Sequence, residues 1–207
     1  MGDAILDFRN VTKRFGRGSG EVPIVENLTL RLPRGRAMGL LGRNGAGKST
    51  LLRLIAGTLP PDRGQVERRG RISWPVGFAG SFHPDLTGRE NLRFVARLYG
   101  VRTSVVEAFV GEFSGLDTGL DAPFRTYSAG MRARLAFGLS MAMPFDLYLI
   151  DEITAVGDAA FRESSEALLR ARLAEAGGVV VSHSLQQVKA LCASAMVLDG
   201  GRLTWHE

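Results

Sequence analysis

Between Glu26 and Leu32 the chain alternates, with Leu28, Leu30 and Leu32 separated by Thr29 and Arg31. That period of two predicts a strand with one face in a core. The stretch AILDF (4–8) reads as another strand, and GRGSG (16–20) between them as a mobile loop. AMGLL (37–41) is a continuous apolar run that ends at a glycine, which suits a strand buried on both faces. A glycine-rich loop follows it, and then KSTLLRLIAG (48–57), an apolar helix. PPDRGQ (60–65) reads as a turn and GRISW (70–74) as a further short strand.

From Thr87 to Met143 the pattern becomes helical. Thr87 with Glu90 predicts a capping box for NLRFVARLYG, and Ser104 with Glu107 another for VVEAFVGEF. A third helix opens at Ser128 in YSAGMRARLAFG and stops before Pro144. Strand and helix then alternate again. FDLYLID (145–151) and VVVSHS (179–184) read as buried strands, and between them residues 159–176 form a helix ended by Gly177 and Gly178. LQQVKALCA (185–193) is a further helix, and AMVLDGGRLTW (195–205) a hairpin around Asp199-Gly200. The fold class is α/β, a sheet protein with a helical insertion near its middle.

Composition adds limits. The 207 residues suffice for one domain with a sizeable core, and 45% hydrophobic with 23% charged residues gives no sign of disorder. The net charge of +5 fits nucleic acid, an anionic membrane surface or a phosphate ligand, and equally a surface that favours arginine. Cys192 is the single cysteine, so no internal disulfide forms, and its apolar helical setting predicts a packed thiol. The amino terminus lacks a basic start followed by a long apolar run, so no signal peptide is expected. No apolar stretch approaches the ~18 residues that span a bilayer.

The chemistry concentrates in three places. GRNGAGKS (42–49) matches G-x-x-x-x-G-K-[ST] between an apolar strand and a helix. Its glycines let successive N–H groups face phosphate oxygens, Lys48 reaches the β- and γ-phosphates, and the Ser49 hydroxyl suits Mg²⁺. LYLIDE (147–152) sets two carboxylates at the C-terminal end of a buried strand, the sheet edge where ligands bind in open α/β folds. Asp151 suits the Mg²⁺ shell and Glu152 the polarisation of an attacking water. VVVSHS places His183 at the same edge, a candidate γ-phosphate contact. Residues 127–138 then look like a second anion grip, a serine-capped helix start with small residues and two arginines, Arg132 and Arg134.

Taken in order, the phosphate loop, the helical insertion, YSAGM, LYLIDE, AVGD (155–158) and VSHS resemble the nucleotide-binding domain of ATP-binding-cassette proteins over essentially the whole chain. YSAGM stands where that family usually reads L-S-G-G-Q, keeping the serine and the second glycine. The resemblance implies a phosphate-loop NTPase sheet core with an antiparallel β subdomain and an inserted α-helical signature subdomain. It implies one domain over 1–207, with 1–86 and 144–207 as the α/β core and 87–143 as the helical part. ATP and Mg²⁺ are the implied ligands. Gly42, Arg43, Asn44, Gly45, Ala46, Gly47, Lys48, Ser49 and Thr50 would hold the nucleotide, with Ser49 and Asp151 on the metal. Lys48, Glu152 and His183 would act in catalysis.

The resemblance also accounts for the second grip. Two such domains pack head to tail, so Ser128 and the Gly130 amide would contact the γ-phosphate held by a second copy, and Asp158 would communicate between the sites. Phe15, near the end of the first strand, is the candidate for stacking on adenine; its other reading is a core residue. The loop at 74–91 usually carries a glutamine in this family, but none is present, and His83 takes the position. His83 is either a Mg²⁺ and water contact or a loop residue that packs against a permease; like glutamine it donates and accepts hydrogen bonds, and imidazole also titrates near neutral pH.

The wording of that loop, with YSAGMRARLAFGLSMA and DEITAVGDAAF, resembles the ATPase subunit of capsular-polysaccharide exporters, with O-antigen and teichoic-acid exporters as near relatives. Several of these relatives carry an extra C-terminal domain. With this sequence stopping at Glu207, just after the predicted hairpin, the capsule type is expected, a bare ATPase working with a separate permease. The implied partners are a second copy of the chain, an integral membrane permease dimer and a polysaccharide handled by that permease. The implied location is the cytoplasmic face of a bacterial inner membrane. Another cargo, a drug or a different lipid-linked glycan, is the first alternative. Family members that act on ribosomes or DNA carry two cassettes or a long coiled coil; one phosphate loop and no sustained heptad run argue against nucleic acid here.

Overall fold

In chain order, β1 (Ala4–Phe15), β2 (Val22–Pro33) and β3 (Ala37–Leu41) precede α1 (Lys48–Ala56), β4 (Arg63–Arg68) and β5 (Ile72–Pro75). Then come α2 (Gly88–Leu98), α3 (Thr103–Ser114) and α4 (Ala129–Ala142). The chain finishes with β6 (Leu147–Asp151), α5 (Ala159–Ala176), β7 (Gly178–Val181), α6 (Leu185–Leu191), β8 (Ser194–Asp199) and β9 (Arg202–His206). The structure is a computed structural model and describes residues 4–15, 22–80, 82–116, 119–152, 158–182 and 184–206. The GRGSG connection lies outside them.

Two compact units divide the chain: Met1–Pro75 with Phe145–Ile153 and Arg170–Glu207, and Val76–Pro144 with Thr154–Leu169. In the first, β1, β2 and β4 form an antiparallel sheet in the order β2-β1-β4, and the other strands form a sheet in the order β5-β6-β7-β3-β8-β9. The second sheet is parallel except for the antiparallel pair β8 and β9. Its core is aliphatic: Leu40, Leu52, Ile55, Leu149, Val181 and Met196 are almost fully buried. The apolar runs read as strands from sequence lie here, covered on both faces as parallel sheets require.

Three local differences from the sequence reading have physical causes. β1 runs on to Phe15, past a break in register between Phe8 and Val11 where Asn10 takes a φ of 51°. The Thr29 hydroxyl accepts from the Asn10 amide and donates to its side-chain oxygen, fixing the bulge that interrupts the alternation. β4 occupies part of the stretch read as a turn; RGQVER has no apolar alternation because this edge strand is mostly exposed. The last hairpin turns on Gly200 (φ 53°) and Gly201 (φ 78°), with Asp199 opposite Arg202. A two-residue turn with both φ values positive is the type that matches strand twist, which places the turn one residue later than expected.

In the second unit the Thr87–Glu90 capping box forms as expected. The second predicted box does not. α3 starts at Thr103 with Arg102 as its cap, and Glu107 instead accepts from the Arg89 and Arg93 guanidinium groups. Arg89 also makes two hydrogen bonds to the Asp121 carboxylate, so one arginine ties α2 to α3 and to the turn at Gly119–Asp121. Phe113 stacks between Phe109 and Phe137 and meets Phe161, joining α3, α4 and the start of α5.

Candidate functional site

The phosphate loop leaves β3 at Leu41 and enters α1 at Lys48. At Gly42 the φ of 155° and the carbonyl oxygen of Leu198, 2.5 Å from where a Cβ would sit, leave room only for hydrogen. Gly47, at φ 102°, would press a Cβ into the Ile24 side chain at 2.1 Å. As the N-cap of α1, Gly47 offers no side-chain acceptor, and no acidic residue lies in the first turn. The amides there meet no carboxylate from their own helix, the condition under which a helix start receives an anion.

Lys48 is buried and its ammonium donates to the Gly42 and Arg43 carbonyl oxygens at 2.9 and 3.1 Å. The Ser49 hydroxyl donates to Asp151 at 3.2 Å. Asp151 ends β6, opposite Val181 of β7, so the pairing of the two strands sets the carboxylate beside the helix start. Glu152 follows with φ 52°, a left-handed conformation unusual for glutamate, while its N–H donates to Val181. Strain of this kind, on the order of 1–3 kcal/mol, persists where surrounding structure over-determines it and clusters at functional positions. A cleft of about 590 Å³ is lined by Ile24, Asn44, Gly45, Gly47, Lys48, Ser49, Thr50, Asp151 and Glu152. A larger depression of about 1060 Å³ on the antiparallel sheet has paired charges in its walls, Arg14 with Glu26, and Asp62, whose carboxylate is held by Lys13.

A hydroxyl and a carboxylate within hydrogen-bonding distance are hard oxygen donors, and Mg²⁺ takes few such ligands beside phosphate oxygens and water. Among the described residues no three His, Cys, Asp or Glu side chains converge on a metal position. The donor set therefore fits a metal that arrives with a phosphate ligand.

The structure brings together Gly42 to Thr50, Asp151 and Glu152 among the residues singled out from sequence. Phe15 is half-exposed at the end of β1, with the Lys13 ammonium 5.8 Å from its ring centre. His183 and residues 155–157 lie outside the described residues. The remainder sits in the second unit. Ser128 caps α4, its Oγ accepting from the Met131 amide at 3.2 Å, and is exposed; beside Gly130 a Cβ would find nothing nearer than that same Oγ, at 3.9 Å. Arg132 and Arg134 are both engaged within the chain. Arg132 donates to the Arg125 carbonyl and lies over Phe124, and Arg134 pairs with Asp158 at 2.7 Å over the ring of Phe161. Asp158 also caps α5 by accepting from the Phe161 amide; that bond and Arg134 hold its carboxyl below the ordinary value.

His83 is exposed, and its Nδ1 accepts from the Asp85 amide at 3.3 Å. Its backbone is clamped by Asn91, a buried residue of α2 whose Oδ1 accepts from the His83 N–H and whose Nδ2 donates to the His83, Leu86 and Thr87 carbonyls. Asn91 and Ile24 are contributors that sequence reading missed. A buried asparagine inside an amphipathic helix was the available sign for the first; nothing local marks the second.

Fold and loop together define a phosphate-loop nucleotide triphosphatase. A profile of the family described as "ABC transporter" matches residues 25–155. The polysialic acid transport ATP-binding protein KpsT of Escherichia coli is 47% identical over 93% of this chain and 87% of its own length. The capsule polysaccharide export ATP-binding protein CtrD of Neisseria meningitidis serogroup B is 44% identical over 98% and 94%. Among solved structures, the ATP-binding cassette MJ0796 in a dimeric post-hydrolysis state with ADP and Pi superposes with a TM-score of 0.79 over 96% of this chain and 97% of that one, at 22% identity. The chain belongs to the ATP-binding-cassette transporter family and carries its ATPase fold.

Proposed function

We propose that the chain is the ATP-hydrolysing subunit of an exporter of lipid-linked capsular polysaccharide, working on the cytoplasmic face of the inner membrane with a separate permease. One observation carries the cargo: relatives named for polysialic acid and capsule export are 44–47% identical over nearly the whole chain. ATP lies with its phosphates against the loop amides and the start of α1, and Lys48 leaves the loop carbonyls for the phosphate oxygens. Mg²⁺, held by Ser49 and Asp151, neutralises charge on those oxygens when bound. Glu152 accepts a proton from water as its oxygen bonds to the γ-phosphorus and the bond to the bridging oxygen breaks, leaving ADP and phosphate. Phe15 meets the adenine, and His183 contacts the γ-phosphate.

Ser128 and the Gly130 amide face the nucleotide of a second copy. The open, serine-capped start of α4 supports this, since a helix start without covering side chains receives phosphate favourably. ATP is then the bridge of the dimer and hydrolysis releases it. Glu152→Gln is expected to keep ATP binding, to abolish turnover and to accumulate an ATP-bound dimer by sedimentation. Wild-type turnover in that variant removes Glu152 as the base. Cargo is tested by purifying the chain from its native cells in mild detergent: a polytopic permease and an acidic capsular glycan with a lipid end are expected. An O-antigen glycan in their place corrects the cargo, and ribosomes or DNA without a membrane protein overturn the exporter reading.

A further inference from the structure

The residue before Ser128 departs from the family pattern described above, where a leucine usually stands, and it is polar. Tyr127 is almost completely buried, yet its hydroxyl donates to the Gly119 carbonyl at 2.6 Å. Its ring packs against Phe124, which meets Phe82 edge-on. The same hydroxyl lies against the first residue of α2: a Cβ on Gly88 would sit 2.1 Å from Tyr127 Oη. So Tyr127 touches the turn before the signature helix and the start of α2 at once.

Backbone bonds close the same seam. The amides of Phe124 and Arg125 donate to the carbonyls of Leu86 and Pro84, each at 2.8 Å, and Gly88 donates back to Ala122. Thr87 and Pro123 form an isolated antiparallel bridge, and Arg125 pairs with Asp85. The segment that carries His83 is thereby sewn to the segment that ends at Ser128. Among the described residues, Tyr127 spans the seam with a buried polar side chain directly adjoining Ser128.

We propose that the Tyr127 hydroxyl, seated between the Gly119 carbonyl and Gly88, is a positioning group that sets where Ser128 and the start of α4 meet the partner's nucleotide. The proposal rests on the trans role given to Ser128 and Gly130 above. A leucine at this place would fill the volume but hold no direction. A hydrogen bond to a carbonyl fixes both ring and backbone, and buried polar groups keep such bonds because losing them costs desolvation. Gly88 belongs to the same device, because any side chain there displaces the hydroxyl.

The test uses the full chain carrying Glu152→Gln, and reads three quantities: ATP affinity of the single chain, ATP-driven association of two chains, and melting temperature. Tyr127→Phe keeps the ring and removes the hydroxyl. Expected are an ATP Kd within about twofold of the parent and a dimer weakened roughly tenfold, the scale of one buried hydrogen bond. Gly88→Ala leaves the hydroxyl but moves it, and is expected to produce the same split between the two affinities. Combined with Tyr127→Phe, Gly88→Ala is expected to add less than it does alone, since the nearest clashing atom is gone. A folded Tyr127→Phe chain that melts lower but dimerises like the parent makes the residue merely structural and overturns the proposal, as do strictly additive effects. Should Tyr127→Phe fail to fold, Gly88→Ala decides alone by the same comparison. A parent that binds ATP and never dimerises overturns the trans reading itself, and the proposal with it.

Discussion

At the scale of single residues, the backbone sets harder limits than the side chains do. Gly42 and Gly45 are both loop glycines with positive φ, 155° and 79°, but only the first meets a wall, the Leu198 carbonyl oxygen. Gly42→Ala is expected to cost both the local strain and a displaced strand, about 3 kcal/mol or more, and to abolish nucleotide binding. Gly45→Ala, with open space around it, is expected to cost only about 1–2 kcal/mol of left-handed strain. Urea denaturation and ATP titration of the two variants check the contrast, and equal losses would mean that the Leu198 contact is unimportant. Cys192 offers a second check at this scale. Burial pushes its thiol up to about 11, so it remains protonated and unreactive toward iodoacetamide at pH 8, whereas rapid labelling by mass spectrometry would contradict the packed site.

At the scale of elements, the helix behind the phosphate loop is held from both ends. Its start is shaped by Gly47, and its far end is closed by Arg68 of β4, whose guanidinium donates to the Ile55 carbonyl at 2.8 Å and also to that of Leu54. Both are last-turn carbonyls; Leu54 also accepts from the Gly57 amide, and a charged donor there meets the negative end of the dipole. Arg68→Ala is expected to lower stability by about 1.5–3 kcal/mol, measured by urea unfolding, with a smaller loss for Arg68→Lys. Arg68 belongs to the strand that sequence reading took as a turn, and the two facts share a cause. RGQVER earns its place through pairing with β1 and through one long side chain reaching α1, neither of which leaves a periodic trace. Elements whose own burial drives them were legible: the alternating leucines of β2, the apolar run of β3, the capped start of α2. The site divided in the same way. Lys48, Ser49, Asp151 and Glu152 were legible because their chemistry requires those side chains at that spacing. The clamp of Asn91 left only a buried asparagine in an amphipathic helix as its sign, and the seat of Tyr127 and the wall formed by Ile24 left none, because each depends on a group that the fold brings close.

At the scale of the whole molecule, the carboxylates act together. Arg9 holds the Asp7 carboxyl below the ordinary value, Lys13 does so for Asp62, Arg69 for Glu67, Arg93 with Arg89 for Glu107, and Arg89 for Asp121. All five shift in the same direction, and they are spread over both units. Each is ionised more readily when folded than when unfolded, so the unfolded chain takes up more protons as the pH falls. Their contribution is complete above the ordinary carboxylate value of about 4 and is lost as the pH drops through the lower values of the folded state. The free energy of unfolding in urea is therefore expected to be level between about pH 5 and 8 and to fall progressively below pH 4. The slope there counts the extra protons bound by the unfolded chain. Arg89→Met removes the main partner of Asp121 and one of two for Glu107, so it is expected to lower stability at pH 7 and to flatten the acid slope. A slope unchanged by Arg89→Met would show that these two carboxylates take no part in the acid transition. High salt gives a control: it screens the exposed pairs at Glu67 and Asp121 more than the recessed Glu107, so in 1 M salt the Glu107 part of the Arg89→Met difference is expected to persist while the total acid loss shrinks.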